Sequence, residues 1–218
     1  MLSPANLTRY LSGRASATSE AIAVTGRIFA PQLGLYLAFW GSFHLLEFLV
    51  TARWNPSRLM KDSFLLLNGW NYHAAHLLGI LEFILESLLF PSHKSPLTFL
   101  NYLGLCTVLL GQYLRSTAMI HASSNFSHIV ASNKRPDHML VKTGLYSLVR
   151  HPSYTGFFVW AVGTQLLLAN PISTVVFIGV LWRFFQQRIQ NEEKHLISFF
   201  GEEYKEYKRQ VPSGIPFV

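Results

Sequence analysis

Charge is scarce in this chain. Asp, Glu, Lys and Arg supply 13% of its 218 residues, about half the ~25% that a soluble domain carries. Hydrophobic residues reach 50%, so most of the exterior has to face something other than water. Cysteine is nearly absent. Cys106 stands alone in an apolar run, which excludes an internal disulfide and fits a small core or lipid-facing residue. The first twenty residues hold Asn6, Arg9, Arg14 and Glu20 without a compact apolar core, so no cleavable signal is evident. No dense basic tract exists either. The net charge of +7 is spread beside membrane-length apolar runs, which argues against a nucleic-acid partner and for a positive-inside arrangement in a lipid bilayer.

What the chain does have is apolar length. A crossing helix needs roughly 20 residues, and apolar stretches fall at 33–51, 63–90, 97–114, 156–169 and 172–187. The expectation is an all-α, polytopic integral membrane protein of about five transmembrane helices, built as a single domain over 1–218. Residues 1–20 are polar and Ser/Ala-rich, expected as a flexible or surface-lying segment, and a bend is expected near Pro31. Asn170-Pro171 should turn the last two apolar runs into a hairpin, followed by a charged helix from Arg188 to Pro212. Arg53, Arg58, Lys61, Arg115, Lys134, Arg135, Lys142, Arg150 and the tail bases then share one side, and only Lys94 lies on the other. That asymmetry assigns the first side to the cytosol. Arg9, Arg14 and Arg27 agree only if the first 30 residues cross the membrane or lie on its cytosolic face.

Polar groups inside apolar spans are costly and invite a functional question. Glu47, Glu82 and Glu86 are of this kind, as are Asn68, Asn71, His73 and His76. The glutamates are expected to bond across helices to His44, His73, His76 or an Asn, with a direct chemical role as the other reading. His73 and His76 are spaced to share one ion, but no Cys joins them and no HExxH pattern occurs, so no metal site is expected.

Polar, aromatic and glycine residues crowd two places, Gly144 to Gly156 and Arg188 to Tyr207. The hairpin between them would bring both to one membrane face. Pro152 after His151 ends any preceding helix and suits the first turn of the next. The new helix would present unpaired N–H groups and a positive dipole end, favourable to an anionic group. Arg188 and Glu192, spaced i,i+4, share a helix face. They are either a surface ion pair or two separate ligands, a fork for a carboxylate and an acceptor for hydroxyl or amino groups.

Taken together, Arg150-His-Pro-Ser-Tyr154, Asn170-Pro171, Arg188, Glu192-Glu193, Phe199-Phe-Gly-Glu-Glu-Tyr204 and Tyr207 resemble the isoprenylcysteine carboxyl methyltransferase family. So do His44-Leu-Leu-Glu-Phe-Leu-Val-Thr51, Asp62-Ser-Phe-Leu-Leu66, Ser123-Ser-Asn-Phe-Ser-His128 and Asp137-His-Met-Leu-Val141. The resemblance implies a multi-pass enzyme of the endoplasmic reticulum membrane, with its active site and C-terminus cytosolic. It implies S-adenosyl-L-methionine as cofactor, leaving as S-adenosyl-L-homocysteine. The implied acceptor is the prenylated C-terminal cysteine of CaaX-processed proteins such as Ras/Rho-like GTPases, or of prenylated peptides. His138, Met139, Leu140, Val141, Tyr146, His151, Pro152, Ser153, Tyr154 and Glu192 would hold the cofactor, within a cofactor-binding and catalytic region over 121–218. Arg188 would be the catalytic residue that meets the substrate carboxylate. There are two departures: Ala131 stands where some relatives carry a glutamine that contacts the cofactor, and the N-terminus looks too polar for the extra span or spans that relatives place before residue 33. A phospholipid N-methyltransferase-like enzyme and a non-enzymatic prenyl-protein scaffold are the alternative readings.

Overall fold

The computed structural model describes residues 4–28, 30–66, 69–94 and 97–218, and every regular element among them is helical. The elements are α1 (Pro4–Ile28), α2 (Pro31–Trp54), α3 (Trp70–Leu89), the short α4 (Pro91–Lys94), α5 (Phe99–Ala122), α6 (Pro152–Leu167), α7 (Pro171–Phe200) and α8 (Glu202–Gln210). Asn68, Ser95-Pro96 and the side chains of Arg9 and Arg27 lie outside what is described.

Prolines set three of the helix starts. Pro31, Pro152 and Pro171 each occupy the first turn, where the missing N–H costs nothing and φ is already helical. Residues 4–20 are not a flexible segment, one of the two forms expected: they belong to α1, a continuous helix that packs against α3 and is exposed over 12–20. The second span also starts later than expected. Residues 61–64 form a 3-10 turn, Leu65 and Gly69 have positive φ, and helix begins only at Trp70. Three segments are long and apolar enough to cross a membrane, namely Ser12–Trp54, α3 and Phe99–Asn125. α6 has 16 residues and rises about 24 Å at 1.5 Å per residue, short of a hydrocarbon core of about 30 Å. α7 spans 30 residues, so its charged second half projects beyond the hairpin. The tail is therefore not a separate helix from Arg188. α7 runs unbroken to Phe200, stops at Gly201 with φ +55°, and α8 follows.

The closest helix contact is between antiparallel α5 and α6. Gly104 and Gly111 on α5, and Gly156 and Gly163 on α6, lie seven residues apart in each helix. A Cβ on Gly104 would collide with the backbone of Leu167, and one on Gly111 with the backbone of Trp160. A Cβ on Gly156 would lie 2.5 Å from the Arg115 nitrogen. Small residues permit this approach in apolar surroundings, where packing rather than water exclusion drives association. Trp160 is wholly buried and stacks on Phe43 of α2 at 4.2 Å between centroids, which ties α2 to the pair.

The three intramembrane glutamates all bond across elements, but not to the expected partners. Glu82 accepts the backbone N–H groups of Ile172 and Ser173 at 2.8 and 2.7 Å and so caps α7. Glu86 pairs with Lys94 at 2.7 Å. Lys94 also donates to the carbonyls of Leu168 and Ala169 and to Asn170 Oδ1. The sole base expected on the far side is thus consumed in pinning the hairpin turn. Glu47 pairs with Arg115 and His128. His73 donates to the Leu66 carbonyl and His76 bonds to Tyr36.

Candidate active site

Arg150 and His151 join the start of α6 to the C-terminal tail. Their backbone N–H groups donate to the carbonyls of Pro212 and Ser213 at 2.8 and 3.0 Å. The Arg150 side chain is 8% exposed and donates to Glu193 at 2.8 Å and to the carbonyls of Lys208 and Val211. Glu193 also accepts from His151 at 3.3 Å, Tyr204 at 3.1 Å and Lys208 at 2.5 Å. Burial pushes the Glu193 carboxyl up, but hydrogen bonds from His151 and Lys208 and the Arg150 guanidinium outweigh it. The net direction is well below the usual carboxylate range. Burial raises the Tyr207 phenol to about 12, and its hydroxyl donates to the Tyr146 carbonyl at 2.5 Å.

Successive residues on a helix point about 100° apart, so Glu192 faces elsewhere. Its Oε2 accepts from the Tyr154 hydroxyl at 2.6 Å. The same phenol oxygen accepts from Arg188 Nε at 2.8 Å, and Arg188 Nη2 donates to the His128 carbonyl at 2.6 Å. Arg188 and Glu192 are therefore not a surface ion pair. Tyr154 stands between them, with its ring stacked on His151 at 5.5 Å and 7°.

A pocket of about 650 Å³, counting its open mouth, lies against this array. Its walls include His138, Met139, Leu140, Val141, Tyr146, His151, Ser153, Tyr154 and Glu192. Nine of the ten residues expected at a cofactor thus surround one space. Pro152, the tenth, sits at the first position of α6 and is not a wall residue. Arg188 is not a wall residue either and reaches the pocket through Tyr154. Ala122, Asn125, Phe126, Ser127, Arg150, Leu196, Phe200, Tyr204 and Tyr207 complete the lining. Sequence reasoning placed Arg150, Phe200, Tyr204 and Tyr207 in the two clusters expected to form one site, without a role for each, and gave Ala122, Asn125, Phe126, Ser127 and Leu196 no named place in it. Ala131 lines a second pocket of about 890 Å³, beyond Phe126 and Ser127, with Asn55, Asp62 and His128.

The chemistry of the walls suits a zwitterionic nucleoside cofactor. Among the described residues, His138 Nδ1 is buried without a hydrogen-bond partner, and such groups normally find one. Burial, then Arg135 and Lys134, lower the His138 pKa, so its ring is neutral near pH 7. The start of α6 carries no side-chain cap; Pro152 has no N–H, and the N–H groups of Tyr154 and Thr155 donate to the His151 carbonyl, so the Ser153 N–H is the one left there for an anion. Glu192 offers carboxylate oxygens, and Met139, Leu140, Leu196 and Phe200 offer apolar surface.

Residues 103–198 match the isoprenylcysteine carboxyl methyltransferase (ICMT) family. Protein-S-isoprenylcysteine O-methyltransferase of Saccharomyces cerevisiae is 53% identical over 192 residues, covering 86% of this chain and 80% of the relative. The human protein of that name is 48% identical over 187 residues, covering 86% and 66%. The solved structure of a eukaryotic intramembrane Ras methyltransferase, isoprenylcysteine carboxyl methyltransferase, superposes with a TM-score of 0.84 at 40% identity, covering 90% of this chain and 71% of that one. Half-identity sustained over most of both chains, on a shared membrane fold, decides the matter: the chain belongs to the isoprenylcysteine carboxyl methyltransferase family.

Proposed function

We propose that this chain transfers a methyl group from S-adenosylmethionine to the C-terminal carboxylate of a prenylated cysteine, forming a methyl ester. The observation that carries this reading is the Arg188–Tyr154–Glu192 array, which holds a guanidinium and a carboxylate beside one pocket. A guanidinium suits an acceptor that is a carboxylate. A guanidinium could also pair with a phospholipid phosphate, so what disfavours the N-methyltransferase alternative is the identity of about half to protein-S-isoprenylcysteine O-methyltransferases.

S-adenosylmethionine, when bound, supplies a sulfonium-activated methyl, so no general base is required of the protein. His138 gives a neutral ring nitrogen to the cofactor. The Ser153 hydroxyl and backbone N–H would receive its carboxylate, and Glu192 would receive its amino or hydroxyl groups. Met139, Leu140 and Val141 cover its apolar surface, and Tyr146 and His151 close the remaining walls. Pro152 acts by starting α6 where it does. Arg188 grips the acceptor carboxylate, which is ionised at neutral pH. Alignment of the two reactants can supply several kcal/mol, and exclusion of water strengthens each charge contact.

The prenyl chain enters sideways from lipid, while the polypeptide stays in the cytosol. The α6–α7 hairpin completes five crossings, with the short α6 accommodated by tilt; Trp160, which is buried against Phe43, does not serve as a flanking anchor. The excess of bases on the pocket side supports a cytosolic site and tail, in the endoplasmic reticulum membrane. Ras- and Rho-type prenylated proteins are the substrates. The test is methyl transfer from labelled S-adenosylmethionine in membranes carrying this chain. N-acetyl-S-farnesylcysteine, its non-prenylated analogue and phosphatidylethanolamine are compared as acceptors. Base-labile label on the prenylated compound alone is the expected result. Label on the phospholipid would overturn the proposal.

A further inference from the structure

Arg188 is held by two anchors, and both lead back to one carboxylate on a different part of the chain. The first anchor is the His128 carbonyl, which accepts from Arg188 Nη2 at 2.6 Å. The His128 ring in turn donates from Nε2 to Glu47 Oε2 at 3.0 Å. The second anchor is the Tyr154 phenol, which accepts from Arg188 Nε at 2.8 Å. Tyr154 follows Ser153, whose carbonyl accepts from Arg115 Nη1 at 3.3 Å. Arg115 is clamped to Glu47 by two bonds of 2.7 and 2.8 Å. Glu47 is 1% exposed and Arg115 is 5% exposed. A second bond from α2 steadies the same loop, from Asn55 Nδ2 to the Phe126 carbonyl at 2.8 Å. Among the described residues, Arg188 Nη1 makes no hydrogen bond, which leaves it as the donor still available.

We propose that Glu47 is a positioning residue for methyl transfer: through His128 and Arg115 it sets the two anchors that aim Arg188 at the acceptor carboxylate. The inference rests on the reading that Arg188 grips that carboxylate. Glu47 lies on α2, outside the stretch 103–198 that matches the family pattern. A buried ion pair is weak evidence for stability, because desolvation offsets most of the attraction. Its worth here is geometric. Arg115 presents a planar fork that fixes the carboxylate plane, and the remaining lone pair on Oε2 then dictates where the His128 ring sits. The reacting partners tolerate little misplacement, so the anchor of a substrate-gripping side chain affects rate without touching substrate.

Removing Glu47 would leave Arg115 buried and unpaired, so the test begins at His128, whose loss keeps the Glu47–Arg115 pair intact. His128→Ala, His128→Gln, Arg188→Ala and the His128→Ala/Arg188→Ala double variant are assayed with a prenylcysteine acceptor. Cofactor affinity and thermal unfolding are measured alongside. His128→Ala is expected to lower kcat/KM about tenfold, with cofactor Kd within about twofold of wild type, and His128→Gln, which keeps a donor, to recover most of that loss. In the Arg188→Ala background the His128 change is expected to cost less than about twofold further, since interacting residues are non-additive. A full tenfold loss in both backgrounds overturns the positioning role while leaving Arg188 in place. So does an unchanged rate in His128→Ala, or a parallel loss of cofactor affinity. Wild-type kcat/KM from Arg188→Ala overturns the carboxylate reading itself and this inference with it.

Discussion

Tyr154→Phe isolates the hydroxyl on which the proposed site turns. The phenol oxygen donates to Glu192 at 2.6 Å and accepts from Arg188 at 2.8 Å, so one atom aligns the proposed cofactor ligand with the proposed substrate ligand. The ring itself is retained in the variant. It keeps its stack on His151 and its contact with Phe185 at 5.1 Å, and no cavity is opened. The tail clamp through Arg150 and Glu193 does not involve this hydroxyl, so stability should change little. Each lost bond has a charged partner and is worth about 1.5–3 kcal/mol. Glu192 is partly open to water, which recovers some of that, so a net cost of about 2–3 kcal/mol is expected. At 1.36 kcal/mol per decade this is a fall of roughly 30- to 150-fold in kcat/KM. The assay is initial-rate methyl transfer to a prenylcysteine acceptor, with unfolding temperature measured on the same preparation. A kcat/KM within about threefold of wild type, at unchanged stability, would refute the idea that Tyr154 couples the two ligands.

Three further outcomes follow from the geometry. Gly111→Val should cost at least about 3 kcal/mol, the upper range for overpacking, because the new side chain meets the Trp160 backbone rather than a flexible neighbour; thermal unfolding in detergent reads it. His138→Phe keeps the ring contacts with Phe199 and Phe200 but removes the unpaired nitrogen. Cofactor Kd should rise about two- to tenfold with acceptor KM unchanged, checked by direct binding. Glu193 has a folded pKa depressed below its unfolded value, so its contribution is complete above about pH 4–5 and drains away as pH falls further. Glu193→Gln should make the tail protease-sensitive at neutral pH and abolish the acid-dependent part of that sensitivity, followed by limited proteolysis across pH.

The family resemblance named the candidate site residues, and local chemistry supplied their framework. Pro152 and Pro171 start their helices where first-turn prolines are expected, and the hairpin between them brings Tyr154 to Glu192. What sequence did not disclose depends on contacts between distant residues. Arg115 looks like the basic end of a span, yet α5 runs on to Ala122 and Arg115 is buried against Glu47, 68 residues away in sequence. The pairs Gly104/Gly111 and Gly156/Gly163 were in plain view, but a glycine within an apolar run does not by itself distinguish a close helix crossing from a flexible point. The α1 helix was missed because Ser and Ala suit both a helix and a loose polar segment, and only its packing on α3 separates the two.

Glu192 and Glu193 show how the cofactor site depends on the tail. Glu193 gathers Arg150, His151, Tyr204 and Lys208, which fastens α8 and the terminal strand of chain to the start of α6. Glu192, one residue earlier and turned by about 100°, faces the pocket. Tyr204 and Tyr207 belong to both arrangements, since they are clamp residues that also form pocket wall. The pocket therefore lacks a side until the tail has docked. If the proposed cofactor binds there, it would stabilise the docked tail by mass action, and a loosened clamp would weaken its binding in return.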